Sequence, residues 1–158
     1  DLPAGSVIQV VQDTFTSTAV FNTATYVNSG LSASITPISS SSKIMIFYNI
    51  HANGHTGNEW ANLRIYRNNQ NLLVGDSIGS RGQSFSAQGA WEHPTGMGPQ
   101  SGMFLDSPSS TGSLTYEVRI RSYDSTGNDA YINRPQRFDD LSNISVPVST
   151  LHLMEIAG

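Results

Sequence analysis

The stretch SLTYEVRIRSYD, residues 113–124, alternates apolar and polar side chains with a period of two. Leu114, Tyr116, Val118 and Ile120 fall on one side of an extended chain, and Thr115, Glu117, Arg119 and Arg121 on the other. That pattern fits a half-buried strand and no helix. No window of eleven residues carries a convincing 3.6-residue period. Instead, β-branched and aromatic residues recur in short runs separated by Gly, Asn, Ser and Pro. The expected strands are Val7–Gln12, Ala19–Val27, Leu31–Thr36, Lys43–His51, Trp60–Arg67, Leu72–Val74, Gly102–Leu105, Leu114–Tyr123, Tyr131–Asn133 and Thr150–Ile156. Ten short strands with frequent turn signals predict an all-β chain, an antiparallel sandwich or barrel.

The run SITPISSSSKIM, residues 34–45, admits two readings: a flexible linker between domains, or a turn inside one sheet system. Residues 1–36 hold at most three expected strands, too few for an independent unit. The serines are therefore expected to turn the chain after Pro37 and lead it into the strand from Lys43. A single domain over 1–158 follows, and a chain of this length can bury a core without covalent staples.

Two strands depart from simple alternation. In Lys43–His51, Ile44, Ile46, Tyr48 and Ile50 share one face while Met45 and Phe47 occupy the other. Near the C-terminus, Leu151 and Leu153 sit opposite His152, Met154 and Ile156. Strands apolar on both faces need cover on both faces. Met45, Phe47, Leu151, Leu153 and Met154 are accordingly expected at a contact between subunits.

Composition removes several classes of function. Cysteine is absent, which excludes disulfides, thiolate metal sites and cysteine nucleophiles. Charged residues make up 13% of the chain, and one lysine, Lys43, accompanies seven arginines without forming a basic stripe. Nucleic-acid binding is not expected. No apolar run is long enough for a membrane helix and no signal-peptide pattern appears, so membrane insertion is not expected. Ser, Thr and Asn together supply about 30% of the residues, a neutral surface rich in hydrogen-bonding groups. The chain opens on Asp1 rather than Met, which suggests a piece of a longer protein.

Chemistry finds little support. His51, His55 and Glu59 are spaced as helical metal ligands, but Asn53, Gly54, Gly57 and Asn58 oppose a helix there. Asp124–Asp129 loosely resembles a calcium loop without its closing glutamate. There is no nucleophile elbow or phosphate-binding glycine loop, and Asp139 and Asp140, as neighbours in an extended chain, would point apart. No enzyme activity, cofactor or metal is expected.

The longest expected irregular region, Gly79–Ser101, carries Arg81, Phe85, Trp91 and His93; the loop 52–59 carries Asn53, His55 and Asn58. Long loops are uncommon unless functional or disordered. These seven residues are the candidate contacts to a partner, with Trp91 suited to stacking or anchoring. Tyr123 and Phe138 are expected to pack against the body of the fold.

The segments AGSVIQVVQ, GLSASITPISSSSKIMIFYNI, GDSIGSR, FLDSPSSTGSLTYEVRIRS, YINR and STLHLMEIAG, in that order, resemble the distal domains of bacteriophage tail fibres over residues 4–156. The resemblance does not extend to 52–59 or 80–100. It implies a C-terminal head on a fibre stalk that precedes it, assembled as a homotrimer of β-sandwiches similar to the jelly-roll heads of the C1q and tumour necrosis factor type. It further implies a virion component facing the outside, binding a host glycan or outer-membrane protein through distal loops. The alternatives are a trimerisation or folding domain capping the stalk without receptor contact, and an enzyme degrading capsular polysaccharide, for which no carboxylate pair is evident.

Overall fold

A computed structural model describes residues 2–55, 60–89 and 93–158. It contains eleven strands and no helix among these residues: β1 (Val7–Phe15), β2 (Ala19–Phe21), β3 (Val27–Ile35), β4 (Lys43–Gly54), β5 (Trp60–Arg67), β6 (Gln70–Leu73), β7 (Ser86–Gly89), β8 (Gly98–Asp106), β9 (Leu114–Arg121), β10 (Ala130–Ile132) and β11 (Ser149–Ile156).

The strands form two antiparallel sheets. In the first, the order runs β1-β11-β4-β8, and the long β4 also pairs β10 beyond the end of β11, with β2 outside β10. In the second, the order runs β3-β9-β5, and β7 and β6 share the far edge of β5 end to end. The sheets pack as a sandwich around Ile44, Ile46, Tyr48 and Ile50 of β4, Leu63 and Ile65 of β5, Tyr116, Val118 and Ile120 of β9, and Leu151 and Leu153 of β11. Each Leu, Ile or Val so enclosed contributes about 1.5–3 kcal/mol, which is how a chain this polar keeps its fold.

The serine run is a corner. It follows β3 of the second sheet and enters β4 of the first, closing with a hydrogen bond from Ser42 N to Ser39 O at 3.2 Å. Leu151 and Leu153, expected between subunits, are wholly enclosed within the chain's own core, because the period of two turns them inward. Met45, Phe47 and Met154 lie on the other face of the same sheet. The expected strand Ala19–Val27 is two strands: Thr23 leaves the ladder, its N–H donating to Ser122 Oγ and its carbonyl accepting from Ser122 N. The expected irregular region Gly79–Ser101 contains β7 and the start of β8.

The two ends of the sandwich differ. At one end the first and last strands meet, with Gly5 N donating to Ala157 O and Ala157 N to Ser6 O. The serine corner lies there too, since Lys43 pairs with Ile156. At the opposite end β4, β7 and β9 finish and β5, β8 and β10 begin.

Candidate functional site

The outer face of the first sheet carries several exposed apolar side chains, among them Val10, Phe47, Met103 and Leu105. Strand register lays its side chains in rows across four strands. One row is Val10, Met154, Met45 and Leu105; the next is Gln12, His152, Phe47 and Met103; the third is Thr14, Thr150, Asn49 and Ser101. The face is thus apolar toward the end that holds the termini and polar toward the other. Phe47 is 42% exposed and Met103 64% exposed, although both sit in the middle of strands. The Phe47 and His152 rings lie 6.3 Å apart at a tilt of 49°. Scattered exposed apolar residues are ordinary; here they adjoin one another in register across four strands.

The end opposite the termini gathers the long connections, and they are tied to one another. The His55 and Gln136 Nε2 atoms lie 2.8 Å apart, and Arg137 N donates to Pro94 O at 2.8 Å. Asp124 closes its own turn by accepting from Thr126 N and Asn128 Nδ2, both at 2.8 Å. The Thr126 N–H bond leads the causes that hold the Asp124 carboxyl below its ordinary range. Among the described residues, no group of three or more His, Asp or Glu side chains is arranged to hold a metal ion. Nor is any helix long and apolar enough to cross a membrane.

The seven candidate receptor residues separate. His93 and Arg81 are exposed; His93 Nδ1 lies 2.7 Å from Thr95 Oγ1, and Arg81 reaches back to the Ile78 carbonyl. His55 is half-buried in its contact with Gln136. Asn53 is buried in β4, opposite Tyr131. Phe85 turns inward, its ring edge-on to Tyr48 at 5.8 Å, and fills the space left by the missing side chain of Gly102. Asn58 and Trp91 lie outside the described residues. Tyr123, expected to pack, is 62% exposed.

The same end of the second sheet carries residues that loop-centred reasoning passes over. Ala61, Leu63 and Ile65 face the core, so Trp60, Asn62, Arg64 and Tyr66 face outward along β5. On β9 beside them stand Glu117, Arg119 and Arg121. Arg64 stacks 4.1 Å over the Tyr26 ring and Arg119 4.2 Å over Tyr66. The usable signal was the alternation of WANLRIYR itself, which places a tryptophan on the face opposite the core.

No protein family matches the chain, and no curated protein proves similar to it.

Proposed function

We propose that the chain is the homotrimeric head of a bacteriophage tail fibre, which attaches the virion to a host cell surface. The observation that carries the assembly is the outer face of the β1-β11-β4-β8 sheet. Its row Val10, Met154, Met45 and Leu105 is apolar on all four strands, with Phe47 and Met103 beside it, and three copies around a threefold axis would cover this block. The strand orders β1-β11-β4-β8 and β3-β9-β5-β6 support a jelly roll of the C1q and tumour necrosis factor type, in which such a sheet lines the axis. The stalk would join at the end where the termini meet, leaving the loop end toward the host. Three sites per fibre then multiply modest contacts into durable attachment. No chemistry is assigned to the head.

Sedimentation of the purified chain tests the assembly: a trimer at micromolar concentration is expected, reduced to monomers by Phe47→Glu. A wild-type monomer under those conditions would sink it. Labelled trimer applied to bacterial cells tests attachment.

The inward packing of Asn53 and Phe85 favours one second reading, a trimerisation cap without receptor contact. Cell binding by the intact trimer, lost when exposed loop-end residues are replaced, separates the two.

A further inference from the structure

Arg121 is the arginine of the second sheet without an acceptor. Arg119 is paired with Glu117, Nη2 to Oε2 at 2.5 Å, and also donates to Asn69. Arg64 directs Nε and Nη2 to the Gln83 carbonyl at 2.9 and 2.7 Å, and that carbonyl also receives the Tyr26 hydroxyl at 3.0 Å. Arg121 has no hydrogen bond and no carboxylate among the described residues, and its Nε is buried without a partner. It is held in place nonetheless. Its guanidinium lies 5.4 Å from the Tyr26 ring, and its Nη2 fills the space where Gly82 lacks a Cβ. The nearest carboxylate in sequence, Asp124, has both oxygens engaged by Thr126 and Asn128.

Beside this fixed, uncompensated charge lies an aromatic platform. Asn62 pairs with Arg121, which makes Trp60 the diagonal neighbour of Arg121, about 7–8 Å away between backbones. The Trp60 indole is 49% exposed and rests on the bare backbone of Gly89, where a Cβ would stand 3.4 Å from the ring. Tyr123, two residues beyond Arg121, is another exposed ring at this end. The indole on β5 and the unpaired guanidinium on β9 thus stand on neighbouring strands of one face, with the Asn62 amide between them. The Asn62 Nδ2 also donates to the Trp60 carbonyl at 3.3 Å. Groups of this kind hold a sugar bearing a negative charge. The ring's C–H face stacks on the indole and its acid group meets the cation.

We propose that Trp60, Asn62 and Arg121 form a binding site for a carboxylate-bearing sugar, a uronate unit of an acidic polysaccharide. One free guanidinium matches the single charge of a carboxylate better than the charge of about −1.5 to −2 on a phosphate monoester. The assignment rests on the attachment reading, which turns the first sheet toward the axis and leaves this face of the second sheet outward. It moves recognition from the loops to a sheet corner beside them.

Calorimetric titration of the unaltered trimer with oligogalacturonate and hyaluronan oligosaccharides, each beside its methyl ester, tests the site. At least one acid form is expected to bind, with its ester about tenfold weaker or worse, and with affinity falling as salt rises. Arg121→Gln and Trp60→Ala are each expected to lose about tenfold while the trimer persists. Binding of neither acid form, equal binding of acid and ester, tighter binding of a sugar phosphate, or full affinity in Arg121→Gln would each overturn the proposal. The acid–ester comparison needs no variant, so a misfolded mutant does not blunt it. Sedimentation of the same samples keeps the two readings apart: trimers that bind nothing refute the sugar site alone, and monomers that bind refute the assembly alone.

Discussion

The backbone N–H of Ile38 donates to the Glu155 carboxylate at 2.9 Å, so a buried acid on the last strand holds the corner where the chain passes between sheets. The other oxygen accepts Gln9 Nε2 at 2.5 Å, adding the first strand to the same knot. Burial alone would raise the Glu155 pKa, but the hydrogen bonds from Gln9 and the corner's backbone outweigh it and leave the group below its usual 4.5. A carboxyl depressed in the folded state stabilises fully above its unfolded pKa and loses that contribution as pH falls through the folded value. Glu155→Gln is therefore expected to cost about 1–3 kcal/mol at pH 7. The difference from wild type should shrink below the usual value of 4.5, as chemical denaturation at several pH values would reveal. A gap that stayed constant into acid would show that the charge is not what holds the corner.

His51, near the far end of β4, titrates lower than the usual 6.5 because burial disfavours its charged form. The unfolded chain then binds a proton more readily, and stability declines as pH drops below 6.5 until the folded value is passed. This window lies above that of Glu155. His51→Gln is expected to flatten the melting temperature between neutral pH and the onset of the carboxylate losses. An unchanged slope in that range would assign the effect to other groups.

Gly30 sits at a bulge in β3 with φ of 101°, and a Cβ there would lie 2.7 Å from Phe15 Cδ2. Phe15 packs on the core, so its ring cannot retreat freely. Gly30→Ala combines a backbone strain of about 1–3 kcal/mol with that clash. Gly75→Ala, where nothing lies within 4 Å, is the control and should stay within about 0.5 kcal/mol of wild type. Equal denaturation midpoints for the two variants would contradict the strain.

What the sequence discloses follows from how each strand is covered. β9 alternates strictly because one face meets the core and the other meets water, and its expected and observed bounds agree within two residues at the far end. β7 hides because SAQG offers no apolar alternation; its place is set by pairing with β5, a long-range event. Residues 22–26 imitate a strand in composition, yet Thr23 finds its partner in Ser122 instead of a ladder. Leu151 and Met154 look equivalent in a list of apolar residues, and only register decides that one is core and the other surface. Arg121 was legible as outward-facing, but its lack of an acceptor depends on where Gln83 and Glu117 spend theirs.

Asp106, at the end of β8, bridges the sheets. Its Oδ2 accepts Arg67 Nη1 of β5 at 2.5 Å and the Tyr116 hydroxyl of β9 at 2.7 Å, and the carboxylate is nearly enclosed. Burial raises the Tyr116 pKa, and Asp106 raises it further, so the phenol remains a donor throughout the ordinary pH range. The two contacts are unequal. Tyr116→Phe removes one hydroxyl and is expected to cost about 1–3 kcal/mol, since the carboxylate keeps its arginine. Asp106→Ala leaves a half-shielded guanidinium and a buried hydroxyl both unpaired, and about 3–5 kcal/mol is expected. In a double-mutant cycle the Tyr116 substitution should cost much less once Asp106 is gone, because its partner has already been removed. Additive losses would mean that the hydroxyl and the carboxylate act independently, and that the sheets are joined at this corner by the Arg67 pair alone.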